Sequence, residues 1–252
     1  MKTIQLLAAF FILAITATTQ AQTADEILTN YFENTGGTDN WKAIKGMQMN
    51  GIVKTQGVEL PFEQILMADG RSYSKANFQG QDFYQDIYDG ETLWNTNQIS
   101  QKAEKSDAET TANRKLDSND FPDKFLNYKE KGYTLELIGK ETIEGTETFK
   151  IKLTMEPKII DGQEVPSIVF VYFDTENYVP IVEEQEIISG PSKGQISVNK
   201  FSDYEEVNGL YFPFSIIQSV KDNPAFGQFE LVVKSIEFNP EVSDDIFAFP
   251  EQ

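Results

Sequence analysis

Carboxylates are the most abundant reactive groups in this chain: 40 Asp and Glu stand against 21 Lys and Arg, with no His and no Cys. Without imidazole or thiol there can be no Ser-His-Asp triad, no thiolate nucleophile and no His/Cys zinc site. What survives is chemistry done by oxygen: a glycosidase pair of carboxylates about 5 to 9 Å apart, a Ser-Lys dyad or an all-oxygen calcium site. Glu183-Glu184 and Glu205-Glu206 sit in strand-like runs, where successive side chains point to opposite faces, so neither pair converges and both are expected on solvated surface. The run Asp117-Ser118-Asn119-Asp120-Phe121-Pro122-Asp123 lacks the Gly at position six and the Glu at twelve of a calcium loop. It reads as helix capping and loop solvation. No Gly-rich phosphate loop follows any strand, which leaves nucleotide cofactors without support. The expectation is a non-enzymatic binding protein with no catalytic residue, metal or cofactor.

The elements that must position any site begin after residue 21. Lys2, the apolar run from Leu6 to Ala17 and the small-residue ending Thr19-Gln20-Ala21 have the three regions of a secretory signal peptide. The apolar run is too short to span a bilayer, for which ~20 residues are needed. Residues 1–21 are therefore expected to be a signal peptide and 22–252 a single exported, soluble domain without a membrane anchor, located in the periplasm. Loss of Lys2 takes the net charge from −19 to −20. Such a field repels polyphosphates, so nucleic acid is not an expected partner.

Ile27, Leu28, Tyr31 and Phe32 share one face of a helix over 24–35 that Gly36-Gly37 ends, and a second short helical turn carries Trp41 and Ile44. From residue 46 the rhythm changes to short apolar runs separated by Gly, Asn, Asp and Pro. It predicts strands over 46–55, 59–67, 71–78, 82–88, 92–97, 133–139, 146–155, 166–174, 179–188, 194–203, 210–220 and 227–238. No helical crossovers separate them, so the sheet should be an antiparallel meander. The polar stretch from 97 to 127 reads as a helix or flap, followed by a short helix near 123–128. A sheet of so many strands should curl toward a barrel or half-barrel with a concave face. Alternation puts Phe212, Phe214 and Ile216 on one greasy face of their strand, and Phe170 with Tyr172 on one side of theirs. These five and Trp94 are the candidate lining of a hydrophobic cavity.

Taken in order, several motifs resemble one family. They are the helix ending in Gly36-Gly37, then Trp41, then Tyr88-Asp89-Gly90-Glu91-Thr92-Leu93-Trp94, and the hairpin from Gly139 to Leu153. Tyr172 through Ile181 follows, and then Ile236-Glu237-Phe238-Asn239-Pro240 ahead of Asp244-Asp245-Ile246-Phe247. The chain is similar to the LolA/LolB-like outer-membrane lipoprotein-sorting proteins, in a diverged Bacteroidetes-type form. The resemblance implies a mainly β fold, a strongly curved open antiparallel sheet of about 11 strands with helices covering the concave face. It also implies a cavity that shields lipoprotein acyl chains or another lipid, and inner- and outer-membrane sorting proteins as partners. In carrier members an arginine after the second hairpin fastens the lid; Arg71 stands near that register and is the expected latch. The residues leave three other readings open: a lipid or lipoprotein sensor, an interaction protein whose concavity is filled by its own side chains, and a carboxylate hydrolase.

Overall fold

A computed structural model describes residues 22–250; the expected signal peptide lies outside the described residues. The first helix, α1 (Ala24–Asn34), starts at Thr23, whose hydroxyl accepts from the Glu26 amide while the Glu26 carboxylate accepts from the Thr23 amide. This reciprocal cap satisfies two amides that a helix start leaves unpaired. Ile27, Leu28, Tyr31 and Phe32 form the buried face. The exit needs glycine. At Gly36, with φ of +110°, a Cβ would stand 2.1 Å from the Gly209 carbonyl oxygen, so any side chain would push the helix off the sheet. A short helix α2 (Thr38–Lys42) follows and buries Trp41.

Thirteen strands form one antiparallel sheet: β1 (Gly46–Thr55), β2 (Val58–Met67), β3 (Ser72–Phe78), β4 (Gln81–Tyr88), β5 (Leu93–Thr96), β6 (Ala103–Lys105), β7 (Thr134–Ile143), β8 (Thr146–Ile160), β9 (Gln163–Asp174), β10 (Pro180–Glu186), β11 (Ile196–Val207), β12 (Leu210–Val220) and β13 (Phe229–Phe238). Twelve fall on the expected runs. The additional strand, β6, is three residues long and has no apolar alternation to announce it.

The sheet is curved and open. β1 and β13 pair at its centre, and the chain meanders outward from them to two edges, β6 and β7. Register shifts at Asn50/Gly51, Ser72/Ser74, Leu137/Gly139, Met155/Lys158 and Pro180/Val182 supply the bulges that bend a sheet. At Gly51 a Cβ would meet the Val232 carbonyl oxygen at 2.2 Å, so the central bulge depends on glycine.

Because β6 and β7 are opposite edges, the connection between them must cross a face of the sheet. It does so as a strap of α3 (Ala108–Asp117), a 3-10 turn at Ser118–Asp120 and consecutive turns over 124–132. The short helix expected near 123–128 is absent. Bonds from Leu126 N to Asp123 O and from Tyr128 N to Phe125 O make three-residue turns there, because the Asp123 side chain takes the Phe125 amide for itself. α3 starts on an Asp107 cap, whose carboxylate accepts from the Thr110 amide.

The first part of the strap, α3, is stitched on both sides. Asn113 exchanges two hydrogen bonds with the Ile159 backbone, and the Glu109 carboxylate accepts from the Asp161 and Gly162 amides. On the other side Arg114 Nε donates to Asp86 at 2.8 Å and its guanidinium lies over the Tyr88 ring.

Candidate functional site: an inner cavity and its polar wall

α1, α2 and the strap lie on the inner face, where Ile27, Tyr31, Trp41, Phe125, Val171, Phe173 and Phe212 belong to one buried cluster. This packing is incomplete. Between the covering elements and the strands is a cavity of about 630 Å³, within the ~300–1,000 Å³ of small-molecule sites. Two cross-strand rows build its wall. One runs Val171, Glu183, Asn199, Gln218, Phe229 across β9 to β13; the next runs Phe201, Ile216, Leu231, Val53 across β11, β12, β13 and β1. Residues two apart on a strand share a face, so both rows look inward. Trp41 and Met47 close one end.

Toward the turn ends of the strands, a second cavity of about 440 Å³ touches the same Val53 and Phe229 and continues over Leu60, Ala76, Phe78 and Phe83. Phe78 and Phe229 are 41% and 37% exposed there. Ile99, at 96% exposed, follows Gln98 of the second cavity's wall.

The strap contributes the cavity's charged groups. Lys124 Nζ donates to Glu183 Oε2 at 2.6 Å, and both side chains line the cavity. Burial works against the Lys124 ammonium, yet the Glu183, Asp123 and Asp120 carboxylates outweigh it and raise its pKa. Asp123 accepts from the Tyr31 hydroxyl at 2.9 Å and from the Phe125 amide; Asp120 accepts from the Tyr133 hydroxyl at 3.0 Å. Burial raises the pKa of both aspartates, with these partners opposing it. Tyr204, also on the cavity wall, donates to the Pro180 carbonyl at 2.6 Å, and burial raises its pKa.

The sequence-derived candidates separate into three groups. Phe212 and Ile216 line the cavity. Phe214 packs against the inner cluster without reaching the cavity wall. Trp94, Phe170 and Tyr172 are on the outer face. Tyr172 is buried with Val182, Val198 and Phe170, and its hydroxyl donates to Glu184 at 2.9 Å. β9 is apolar on both sides, so alternation divides its residues into Val169, Val171, Phe173 and Phe170, Tyr172 without saying which set faces in.

Trp94 packs with Ile65, Tyr73, Ile87 and Phe247 beneath the C-terminal segment, and its Nε1 donates to the Phe247 carbonyl at 3.2 Å. Arg71 serves that same segment. Its guanidinium bonds Asp69 and Asp244, the latter at 2.5 Å, and lies 4.8 Å over the Phe247 ring. The arginine that fastens a covering helix is Arg114.

Glu183, expected on solvated surface, faces inward, while Glu184 faces outward to Tyr172 and Lys221. The alternation that keeps the two apart is what admits one of them to the interior. The Asp117–Asp123 run is absorbed by protein partners: Asp117 pairs with Lys158, Asp120 with Tyr133 and Asp123 with Tyr31. Among the described residues no group of His, Cys, Asp or Glu could hold a metal ion, and no helix is long and apolar enough to cross a membrane.

A curled antiparallel sheet whose inner face is roofed by helices over a cavity defines the fold class. Its particular form is LolA-like. A LolA superfamily protein from Nitrosomonas europaea matches at a TM-score of 0.55 and 15% identity, over 90% of this chain and 98% of that one. A DUF1329 family protein from Desulfovibrio piger matches at 0.51 and 14%, over 88% and 97%. At these identities the likeness is one of fold. No protein-family model and no curated protein matches the sequence.

Proposed function

We propose that the protein is an exported, non-enzymatic carrier that shields the acyl chains of a lipoprotein or another lipid in its inner cavity. The periplasm is its place of work, and outer-membrane lipoprotein sorting, with inner- and outer-membrane proteins as docking partners, is the process it serves. One observation carries the reading. The two cavities are neighbours that share Val53 and Phe229, so apolar side chains line the inner face from Trp41 to the exposed Phe78. An apolar lining of this extent suits a long chain: each methylene buried is worth about 0.8 kcal/mol, and a long acyl chain gains several kcal/mol without any bond being made or broken. Every carboxylate on the wall is already engaged by a tyrosine, an amide or Lys124, which supports binding over hydrolysis.

The test is uptake of a pyrene-labelled acyl probe from solution by the mature chain. Saturable uptake at one site, abolished by Ile216→Trp, is the expected result. A probe that stays in solution, or uptake indifferent to Ile216→Trp, would count against the carrier. Fractionation of expressing cells tests the periplasmic assignment.

A further inference from the structure

Only Gln22 and Thr23 separate the end of the expected signal peptide at Ala21 from the first residue of α1. Both belong to the fold. Thr23 caps the helix through its exchange with Glu26. Gln22 is partly buried, and its Nε2 donates to the Tyr178 hydroxyl at 2.9 Å. Tyr178 lies between β9 and β10, stacks on Phe149 with ring centroids 5.9 Å apart and packs against the inner cluster. The Gln22 carboxamide therefore ties the start of the roof to a connection 156 residues further along the chain.

Cleavage after Ala21 turns Gln22 into the N-terminal residue and places a free α-amine next to its own carboxamide. Such an amine has a pKa of about 7.7–8.0, so it is mostly an ammonium at neutral pH. The position suits a cation badly, because the unpaired amides at a helix start carry partial positive charge. Both carboxylates of the first turn are engaged as well: Asp25 accepts from Tyr128 and Lys129, and Glu26 from the Thr23 amide.

We propose that Gln22 is a modification site: in the mature chain it closes to pyroglutamate, and the neutral lactam fastens the start of α1 to Tyr178. The α-nitrogen attacks Cδ of the same residue, the Nα–Cδ bond forms and the Cδ–Nε2 bond breaks. Nε2 leaves as ammonia, taking one proton from the α-amine, so no oxidant, reductant or co-reactant enters the balance. The lactam keeps the side-chain oxygen. Tyr178, which accepts from Nε2 before closure, donates its hydroxyl hydrogen to that oxygen afterwards. Closure also removes the ammonium that the helix start disfavours. The inference rests on the export reading above, through its cleavage point, and is independent of the cargo.

The experiment is mass spectrometry of the N-terminal peptide after the full chain, leader included, is expressed and the processed protein isolated, with Gln22→Ala prepared alongside. The wild-type peptide should begin at residue 22, weigh about 17 Da less than its sequence through loss of ammonia and offer no α-amine to labelling reagents. The Gln22→Ala peptide should keep its full mass and its amine. Urea melts then read the fastening: Tyr178→Phe should lower the denaturation midpoint more in the closed wild type than in Gln22→Ala. A peptide that begins at Gln22 but keeps its mass and amine through prolonged incubation at neutral pH overturns the inference and leaves export intact. An equal midpoint shift in both backgrounds overturns the fastening to Tyr178. A chain that retains its leader, or is cut elsewhere, overturns the cleavage point and the inference with it. Uptake of the acyl probe by the same samples is scored separately, so failure of the carrier reading is distinguished from failure of this one.

Discussion

The two tryptophans occupy opposite faces of one sheet and meet different fates. Trp41 lies tilted against Phe212, ring centroids 4.8 Å apart, and lines one end of the inner cavity. Trp94 lies beneath a C-terminal segment that seals it, with Phe247 1% exposed and Ile87 fully buried beside it. Both are large, apolar and nearly inaccessible, so residue type does not distinguish them. The cover does. On the outer face a short segment, pinned by Arg71 through Asp244, presses one phenylalanine into the sheet. On the inner face the cover is a strap whose α3 is stitched to its neighbours on both sides, and whose middle combines buried Phe125 and Leu126 with polar pairs, Lys124 to Glu183 on β10 and Asp123 to Tyr31 on α1. The apolar anchors fill only part of the space beneath the loop; Asp120, Asp123, Lys124 and Glu183 line the rest, and a cavity remains. A tight plug makes structure, and a roof that is only partly apolar makes a site.

The sharpest way to break this contrast is at the outer plug. Phe247→Ala should cost about 3–5 kcal/mol, the usual loss for a buried phenylalanine, read as a fall in denaturation midpoint, while the fraction that remains folded still takes up an acyl probe. If uptake disappears with the plug, the two faces are not independent. On the inner side, Lys124→Met leaves Glu183 as an uncompensated carboxylate and should cost about 2–3 kcal/mol. The double variant with Glu183→Leu should recover much of that, and a double-mutant cycle in urea checks it.

Filling the cavity with Ile216→Trp should change stability little and reduce probe affinity by at least tenfold, about 1.4 kcal/mol. Arg71→Ala, which removes a partly exposed ion pair and a contact with the Phe247 ring, should cost only about 1 kcal/mol and leave uptake unchanged.

A pH series sharpens the comparison further. Burial raises the Asp123 carboxyl above its ordinary range, so the native chain holds that proton more tightly than the unfolded one. Stability relative to Asp123→Asn should therefore rise as pH falls from 7 through the raised range, and level off below about 3.9, the unfolded value. Urea melts of the two proteins across that interval measure the difference; a flat difference would mean that Asp123 is not held in a buried site.

The fold was legible because its signals are local. Apolar alternation and Gly, Asn and Asp turns mark strands such as 46–55 and 210–220 to the residue, and the apolar face of Ile27, Leu28, Tyr31 and Phe32 ahead of Gly36-Gly37 marks the first helix. The site was legible only in part. In β12 one face is plainly greasier, and Phe212 and Ile216 lie on the cavity wall. In β9 both faces are apolar, so the choice between Val171 and Tyr172 depends on which side the strap crosses, a fact of topology that strand periodicity does not carry. Glu183 was hidden for the complementary reason: its ion-pair partner, Lys124, lies 59 residues earlier in the sequence. The role of Phe247 had a visible trace, an apolar pair following Asp244-Asp245 in an acidic tail. Nothing in that trace says that the tail folds back on Trp94.

The most direct test of the carrier account is native mass spectrometry of the mature protein from a periplasmic extract, with Ile216→Trp prepared alongside and the co-purifying lipid extracted. The account predicts an acylated adduct on the wild-type protein that is missing from the cavity-filled variant. A clean apo mass for the wild type, with no uptake of added acyl lipid, would contradict it and leave the cavity without a cargo.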